Sequence, residues 1–186
     1  MQPITIVLTE GYSDWEIAPL AGVGKAFYGA DIRFVSPEGG SVTSIAGLSV
    51  SGLEKFDAPE EGVVVICGGP AFEQGNPELS TRLKKAREAG CVIAGICGGT
   101  IALARAGMLD GVEHTSNGPG YLQQHAEEYA GAGSYVDQPR AIRAGDIITA
   151  PAPAPASFAA EVLAAAGLDP AKAREIPEML GKEHAK

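Results

Sequence analysis

Cys91-Val92-Ile93-Ala94-Gly95-Ile96-Cys97-Gly98-Gly99-Thr100 is an apolar run that stops at a cysteine set among glycines. Ile101-Ala102-Leu103-Ala104-Arg105-Ala106 follows with the composition of a largely buried helix, so the stretch reads as strand, sharp turn and helix, with Cys97 on the turn. Gly95-x-Cys97-x-Gly99 has the spacing of a nucleophile elbow, with sulfur replacing the serine oxygen. Small neighbours let the backbone take the tight conformation that holds a nucleophile above a sheet. Glycines on both sides are hard to justify by packing, which makes Cys97 the first candidate for chemistry.

Three effects are expected to favour a reactive thiol there. A helix starting at Gly98 places unpaired amides and a partial positive charge beside the sulfur, favouring thiolate. A free cysteine titrates near about 8.5, and such a position brings it to roughly 3.5–7.5. The Gly98 amide, unshielded by a side chain, is placed to donate to an oxyanion, and the turn leaves the sulfur accessible. The competing reading is a cysteine filling a small core site where a strand meets a helix.

Upstream, Gly62-Val63-Val64-Val65-Ile66-Cys67-Gly68-Gly69-Pro70 is a second continuous apolar strand ending in glycines. Asn76 or Ser80 starts a helix after it, with Leu79, Leu83 and Ala86 inward. Ile4 to Thr9 is the opening strand. Ser13 or Asp14 caps a helix that runs to near Gly29. Gly22 and Gly24 inside that helix cost about 1 kcal/mol each, which predicts close approach by another backbone. Gly22-x-Gly24-Lys25 lacks the spacing and the hydroxyl residue of a phosphate loop. Asp31 to Ser36 is a strand, and Ser41–Ile45 with Leu48–Val50 forms a hairpin to one side. Beyond the elbow, a turn at Leu109-Asp110-Gly111 leads through His114 to Asn117, and a helix is expected over Tyr121 to Tyr129. Short strands follow at Ser134–Val136, Ala141–Ala144 and Asp146–Ala150, then a rigid proline loop, the amphipathic Phe158–Ala166 and a frayed tail at Lys182–Lys186. Strands alternating with helices predict an α/β fold, a doubly wound parallel sheet that binds ligands at the carboxyl ends of its strands.

With 186 residues and 45% hydrophobic content, the chain is expected to be a single domain over 1–186. A net charge of -9 opposes nucleic acid and anionic membranes. The amino terminus has no basic region and no run approaches a membrane span, so a soluble cytoplasmic protein is expected. Three cysteines, an odd number without framework spacing, suit a reducing compartment. Cys91 and Cys97 have neither zinc spacing nor a histidine partner in sequence, so no metal is expected, and no cofactor.

These residues resemble the ThiJ/PfpI (DJ-one/PfpI) family, a branch of the class I glutamine-amidotransferase-like superfamily. The features that carry the likeness are Asp14-Trp15-Glu16, Gly68-Gly69, Ala94-Gly95-Ile96-Cys97-Gly98-Gly99, Gly107-Met108-Leu109-Asp110-Gly111, and Ile147-Ile148-Thr149-Ala150 with Ala156-Ser157-Phe158-Ala159. The resemblance implies a flavodoxin-like sandwich, a homodimer, Cys97 as the reactive thiolate and Glu16 as a carboxyl touching its sulfur. It also implies an oxyanion site at the Gly69 and Gly98 amides, with Gly68 and Asn117 completing the substrate-binding set. Beside a thiolate, a carboxyl is driven towards its protonated form and can donate to sulfur. Without the resemblance, Glu16 is a helix-start acid favoured by the macrodipole.

Two departures stand out. Peptidase-like members place a histidine directly after the nucleophile, where this chain has Gly98, and others place one where it has Asn117. Strand alternation puts Asn117 with Thr115 and opposite His114, which reads as a buried structural histidine. His125 sits on a polar helix and His184 in the tail. Without a secure base, a protease or a full Cys-His-Glu glutaminase is not expected. The preferred function is a cofactor-independent cysteine enzyme, hydrolase or lyase in type, acting on a small electrophile such as a reactive carbonyl, amide or isocyanide, with Glu16 carrying the proton. The alternative is a redox-sensing protein in which Cys97 is oxidised, with Cys67 either resolving the product or lying inert in the core.

Overall fold

In the computed structural model, which describes residues 1–182, eight strands form one sheet in the order β3-β4-β2-β1-β5-β6-β8-β7. Its parallel centre comprises β1 (Ile4–Val7), β2 (Ile32–Ser36), β4 (Ser49–Lys55), β5 (Val63–Ile66), β6 (Val92–Ile96) and β8 (Ile147–Ala150). At the edges, β3 (Gly40–Thr43) and β7 (Ile142–Ala144) pair antiparallel. The chain winds outward from β1 to β2, then crosses back to β5 and on to β6 and β8, which makes the β1/β5 boundary a topological switch point.

The central strands read as unbroken apolar runs because both faces are covered. Ile4, Ile6, Val63, Val65, Ala94, Ile96 and Ile148 join one buried cluster with Leu20, Phe158 and Leu163; Val7, Val64, Ile66, Ile93 and Ile147 join another with Leu79, Leu83 and Leu103. The first cluster lies under α1 (Asp14–Ala18), α6 (Pro155–Ala165) and α7 (Pro170–Leu180). The second lies under α3 (Pro77–Glu88), α4 (Gly99–Arg105) and the short α5 (Tyr121–His125). Val7, Ile66, Gly95 and Thr149 stand in register across β1, β5, β6 and β8, so these carboxyl ends align and the loops beyond them meet.

Several expectations are corrected. The first helix has the expected span, ending at Gly29 in a left-handed conformation, but it is not α-helical throughout: α1 and α2 (Gly24–Tyr28) are joined by a π-helical turn over Pro19–Val23. Among the described residues no foreign backbone approaches Gly22 or Gly24: a β-carbon at Gly22 would meet nothing, and one at Gly24 would meet the Leu163 side chain. The hairpin is part of the main sheet, since β4 continues to Lys55 and pairs with β2. α5 stops at His125, where Ala126 turns extended and Arg105 Nη2 donates to the His125 carbonyl at 2.6 Å. Ser134–Val136 is no strand; a 3-10 turn over Gly131–Ser134 precedes a lone bridge between Tyr135 and His114. α6 begins at Pro155, inside the expected loop, and α7 was not expected, although Asp169 caps it by accepting from the Ala171 and Lys172 amides. Lys182 ends the described residues, and the rest of the expected tail, His184 included, lies outside them. Among the described residues, no helix is long and apolar enough to cross a membrane.

Gly22→Ala should raise stability by about 0.5–1 kcal/mol through helix propensity. Gly99→Ala should cost roughly 1–3 kcal/mol, because its β-carbon would strike the Ile66 carbonyl oxygen and force α4 away from β5. Denaturant midpoints of the two variants, moving in opposite directions, check the pair.

Candidate active site

Cys97 is the one non-glycine residue with positive φ among the described residues, at 55°, where β6 turns into α4. Such a conformation is costly for a side-chain-bearing residue and persists only where its surroundings impose it. They do so through backbone contacts. The Cys97 amide donates to the Ala150 carbonyl at 2.9 Å, and the Cys97 carbonyl accepts from the Thr100 amide at 3.1 Å and the Thr100 hydroxyl at 2.6 Å. A β-carbon at Gly98 would collide with the Gly69 carbonyl, and one at Gly99 with that of Ile66. Close packing therefore does explain these glycines, contrary to the expectation, and it is what seats the turn.

Glu16 is fully buried on the first turn of α1, and its Oε2 accepts from the Gly68 amide at 2.9 Å. The loop is fixed in return by the Ser13 amide, which donates to the Gly68 carbonyl at 3.0 Å. Any side chain at Gly68 would run into Glu16 Oε2 on one side and the Cys97 β-carbon on the other. Gly68 thus lets the carboxyl and the cysteine lie side by side. Glu16 Oε1 is buried without a hydrogen-bond partner of regular geometry, yet Cys97 acts on the carboxyl and the carboxyl on Cys97. Burial raises Glu16 from 4.5 to about 7, opposed by the Cys97 side chain, the Gly68 amide and Ser13.

The expected depression of the Cys97 thiol is not found. Burial pushes it up to about 11, the Glu16 carboxylate adds to the rise, and the Asn117 amide and the Gly98 N–H oppose it. Two acids buried together hold a proton between them at neutral pH, and they titrate as a pair.

Asn117 completes the environment of the sulfur. Its Nδ2 donates to Cys97 Sγ at 3.2 Å, and its Oδ1 accepts from the Ala152 amide at 2.9 Å. Because a backbone N–H needs an acceptor, the Ala152 contact fixes which end of the amide faces sulfur: Asn117 presents a donor, which favours thiolate. The preceding residue, Ser116, shares a 2.6 Å contact with the Thr100 hydroxyl. With the Thr100 proton committed to the Cys97 carbonyl, Ser116 is the donor, and both residues are buried. This two-hydroxyl relay ties the turn to the segment carrying Asn117. Sequence reading missed Thr100, Ser116, Ala152 and Tyr121, whose phenol is raised by burial first and then by Cys97, with Asn117 opposing.

Gly69 packs against Gly98, the two glycines expected to carry the oxyanion donors, and the Gly98 N–H acts on the Cys97 sulfur. His114 stays outside: Nδ1 contacts the Val112 carbonyl at 2.6 Å, Nε2 the Tyr129 hydroxyl at 2.7 Å, and burial lowers its pKa. Cys67 is a core thiol, its Sγ donating to the Ser13 carbonyl at 3.4 Å and its pKa raised well above the ordinary range by burial. Among the described residues, no cluster of His, Cys, Asp and Glu has the geometry of a metal site.

The pair predicts an unusual pH dependence. Glu16 binds its proton more tightly folded than unfolded, so its contribution to stability is most favourable below about pH 4.5 and declines as pH rises through 7. The loss is roughly 3 kcal/mol for a rise of that size. His114, lowered by burial, works with the opposite sign, so the test is a difference: wild type minus Glu16→Gln, from urea midpoints at pH 5 and pH 8, should fall with rising pH. A flat difference contradicts the assignment.

The DJ-1/PfpI family profile matches residues 2–165. The DJ-1 superfamily protein Atu0886 from Agrobacterium tumefaciens has a structure similar over 100% of both chains, with a TM-score of 0.89 and 34% identity. Two Bacillus subtilis proteins named as uncharacterized proteases are also similar. YoaZ is 31% identical over 126 residues, 66% of this chain and 60% of its own length; YdeA is 29% identical over 160 residues, 85% and 80% respectively. The chain thus spans 60% of the length of YoaZ. With the profile match covering most of the sequence, this chain belongs to the DJ-1/PfpI family.

Proposed function

We propose that the protein is a cofactor-independent cysteine enzyme, hydrolase or lyase in type, that adds the Cys97 sulfur to a small electrophile while Glu16 carries the proton. The observation that carries this reading is the juxtaposition at one turn of a half-buried cysteine with positive φ, a buried carboxyl raised to about 7, and an oriented amide donor. A proton acceptor works best when it titrates near the working pH, and Glu16 does.

With a carbonyl substrate, the sulfur lone pair forms the new S–C bond and the C=O π pair moves to oxygen, towards the Gly69 and Gly98 amides. The thiol proton passes to Glu16, which returns it to that oxygen, giving a hemithioacetal. With an amide or ester the corresponding adduct collapses, Glu16 relaying the hydroxyl proton to the departing amine or alcohol, and water then cleaves the resulting Cys97 thioester to release the acid and restore the thiol. No histidine is required, in line with Gly98 and Asn117 standing where relatives carry one. A small-molecule substrate, a homodimer and a cytoplasmic setting belong to the same reading. They rest on the family resemblance, the acidic charge and the free thiols.

Two experiments test it. Brief iodoacetamide labelling at neutral pH should modify Cys97 well before Cys67 and Cys91, whose thiols are buried and donate to the Ser13 and Pro59 carbonyls; equal labelling defeats the proposal. Screening glyoxals, amides, esters and isocyanides should give turnover that Cys97→Ala abolishes and Glu16→Gln lowers by roughly 100-fold or more. Peroxide oxidation of Cys97 with no turnover on any electrophile would instead move the reading to a redox role.

A further inference from the structure

The segment carrying Asn117 borders a cleft of about 520 Å³ lined by Ser116, Asn117, Gly118, Asp137, Gln138, Ala152 and a set of prolines, and Asn117, whose Nδ2 lies 3.2 Å from Cys97 Sγ, joins this cleft to the sulfur. We propose that this cleft admits uncharged or cationic electrophiles and turns away acids, and that Asp137 is the specificity-determining residue that enforces the choice. The proposal rests on the reading of Cys97 as nucleophile and adds the class of substrate that reaches it.

A site for a carboxylate or phosphate needs cations or convergent N–H and O–H donors. This cleft has neither. Among the described residues no Lys, Arg or His lines it, and Arg140, although next to Pro139 in the chain, is exposed and outside the lining. Pro139, Pro151 and Pro153 supply three stretches of wall without an amide hydrogen. The remaining donors are largely committed: the Ser116 hydroxyl to Thr100 at 2.6 Å, Asn117 Nδ2 to the sulfur at 3.2 Å, and the Ala152 amide to Asn117 Oδ1 at 2.9 Å. The Gln138 side-chain amide and the Gly118 backbone N–H remain, beside the Asp137 carboxylate, the lining's one charged group.

An acid entering here would lose hydration for few partners and no cation, and would meet Asp137 and the charge shared by Cys97 and Glu16. A neutral carbonyl, nitrile or amide loses much less. An ammonium group gains Asp137 as a counter-ion. Exposed charges act across about 8 Å at physiological salt, so Asp137 alone should be worth a few-fold and should weaken as salt is added. The net charge of -9 adds a long-range bias of the same sign.

The test compares Cys97 modification by iodoacetamide and iodoacetate, and by methanethiosulfonates carrying trimethylammonium or sulfonate groups. Each rate is divided by that of free glutathione with the same reagent, and the site is confirmed by peptide mapping. The normalised anion-to-neutral ratio should be about 10-fold below unity at low salt and should rise in 0.5 M salt. Asp137→Asn should raise it by about 3-fold, and Asp137→Lys should reverse the cation-over-anion preference. These changes fall on an exposed residue, and circular dichroism checks that the fold is kept. A normalised ratio near one, or a ratio that Asp137→Lys leaves in place, overturns the proposal while Cys97 stands as nucleophile. Failure of every reagent to label Cys97 overturns both.

Discussion

Cys97 and Glu16 are two acids that the fold buries against one another: burial holds the proton on both, the Glu16 carboxyl holds it more firmly on Cys97, and the Cys97 side chain works the other way on Glu16. The rest of the site follows from that constraint. Gly68 must be bare, because a side chain there would occupy the space the two groups share. The Ser13 and Gly68 backbones must lock, because a carboxyl on the first turn of α1 reaches the sulfur only if α1 is held against the end of β5. Asn117 must face the sulfur with its nitrogen, because burial has removed the water that would otherwise solvate a developing thiolate. The register of β1, β5, β6 and β8 makes this possible, since it brings three loops and the turn to one edge of the sheet.

The parts of this arrangement that depend on local pattern were legible in the sequence. Val63–Ile66 and Val92–Ile96 announce themselves as β-rich runs ended by glycines, and the change from strand to helix at Cys97 is visible in the same residues. Glu16 was legible only through resemblance, because nothing in residues 10–20 says which strand end lies beside them. Thr100, Ser116 and Ala152 were not legible at all. Their roles arise where the irregular 112–120 segment and the proline loop after β8 cross the turn, and such stretches have no periodicity to read. α7 was hidden for a different reason: Pro177 inside it looks like a breaker, and only Ala173 and Ile176 are buried, too few for a clear apolar stripe.

The thiol pKa was misjudged because its two determinants differ in size and only one can be read from sequence. A helix amino terminus contributes roughly 0.3–1 kcal/mol at an exposed site, less than the about 1.4 kcal/mol equivalent to one pKa unit. α4 is seven residues long, and nothing enlarges its share. Desolvation of a buried group reaches 3–5 units, and the Glu16 charge acts in the same direction. Burial therefore dominates, and the resting sulfur carries its proton.

A sulfur protonated at rest changes what the site requires of its neighbours. A standing thiolate would need only donors, and Glu16 would then be a handicap, a negative charge placed against another. A thiol that must ionise as it attacks needs an acceptor within reach, titrating close to neutral, and Glu16 meets both conditions because the same burial has raised it. The buried histidine is consistent with this division of labour: both ring nitrogens of His114 are engaged, with the Val112 carbonyl and the Tyr129 hydroxyl, where it anchors the segment leading to Asn117. Gly98 carries no side chain, which allows the Gly69 backbone to close over the turn and supplies a contact that seats Cys97.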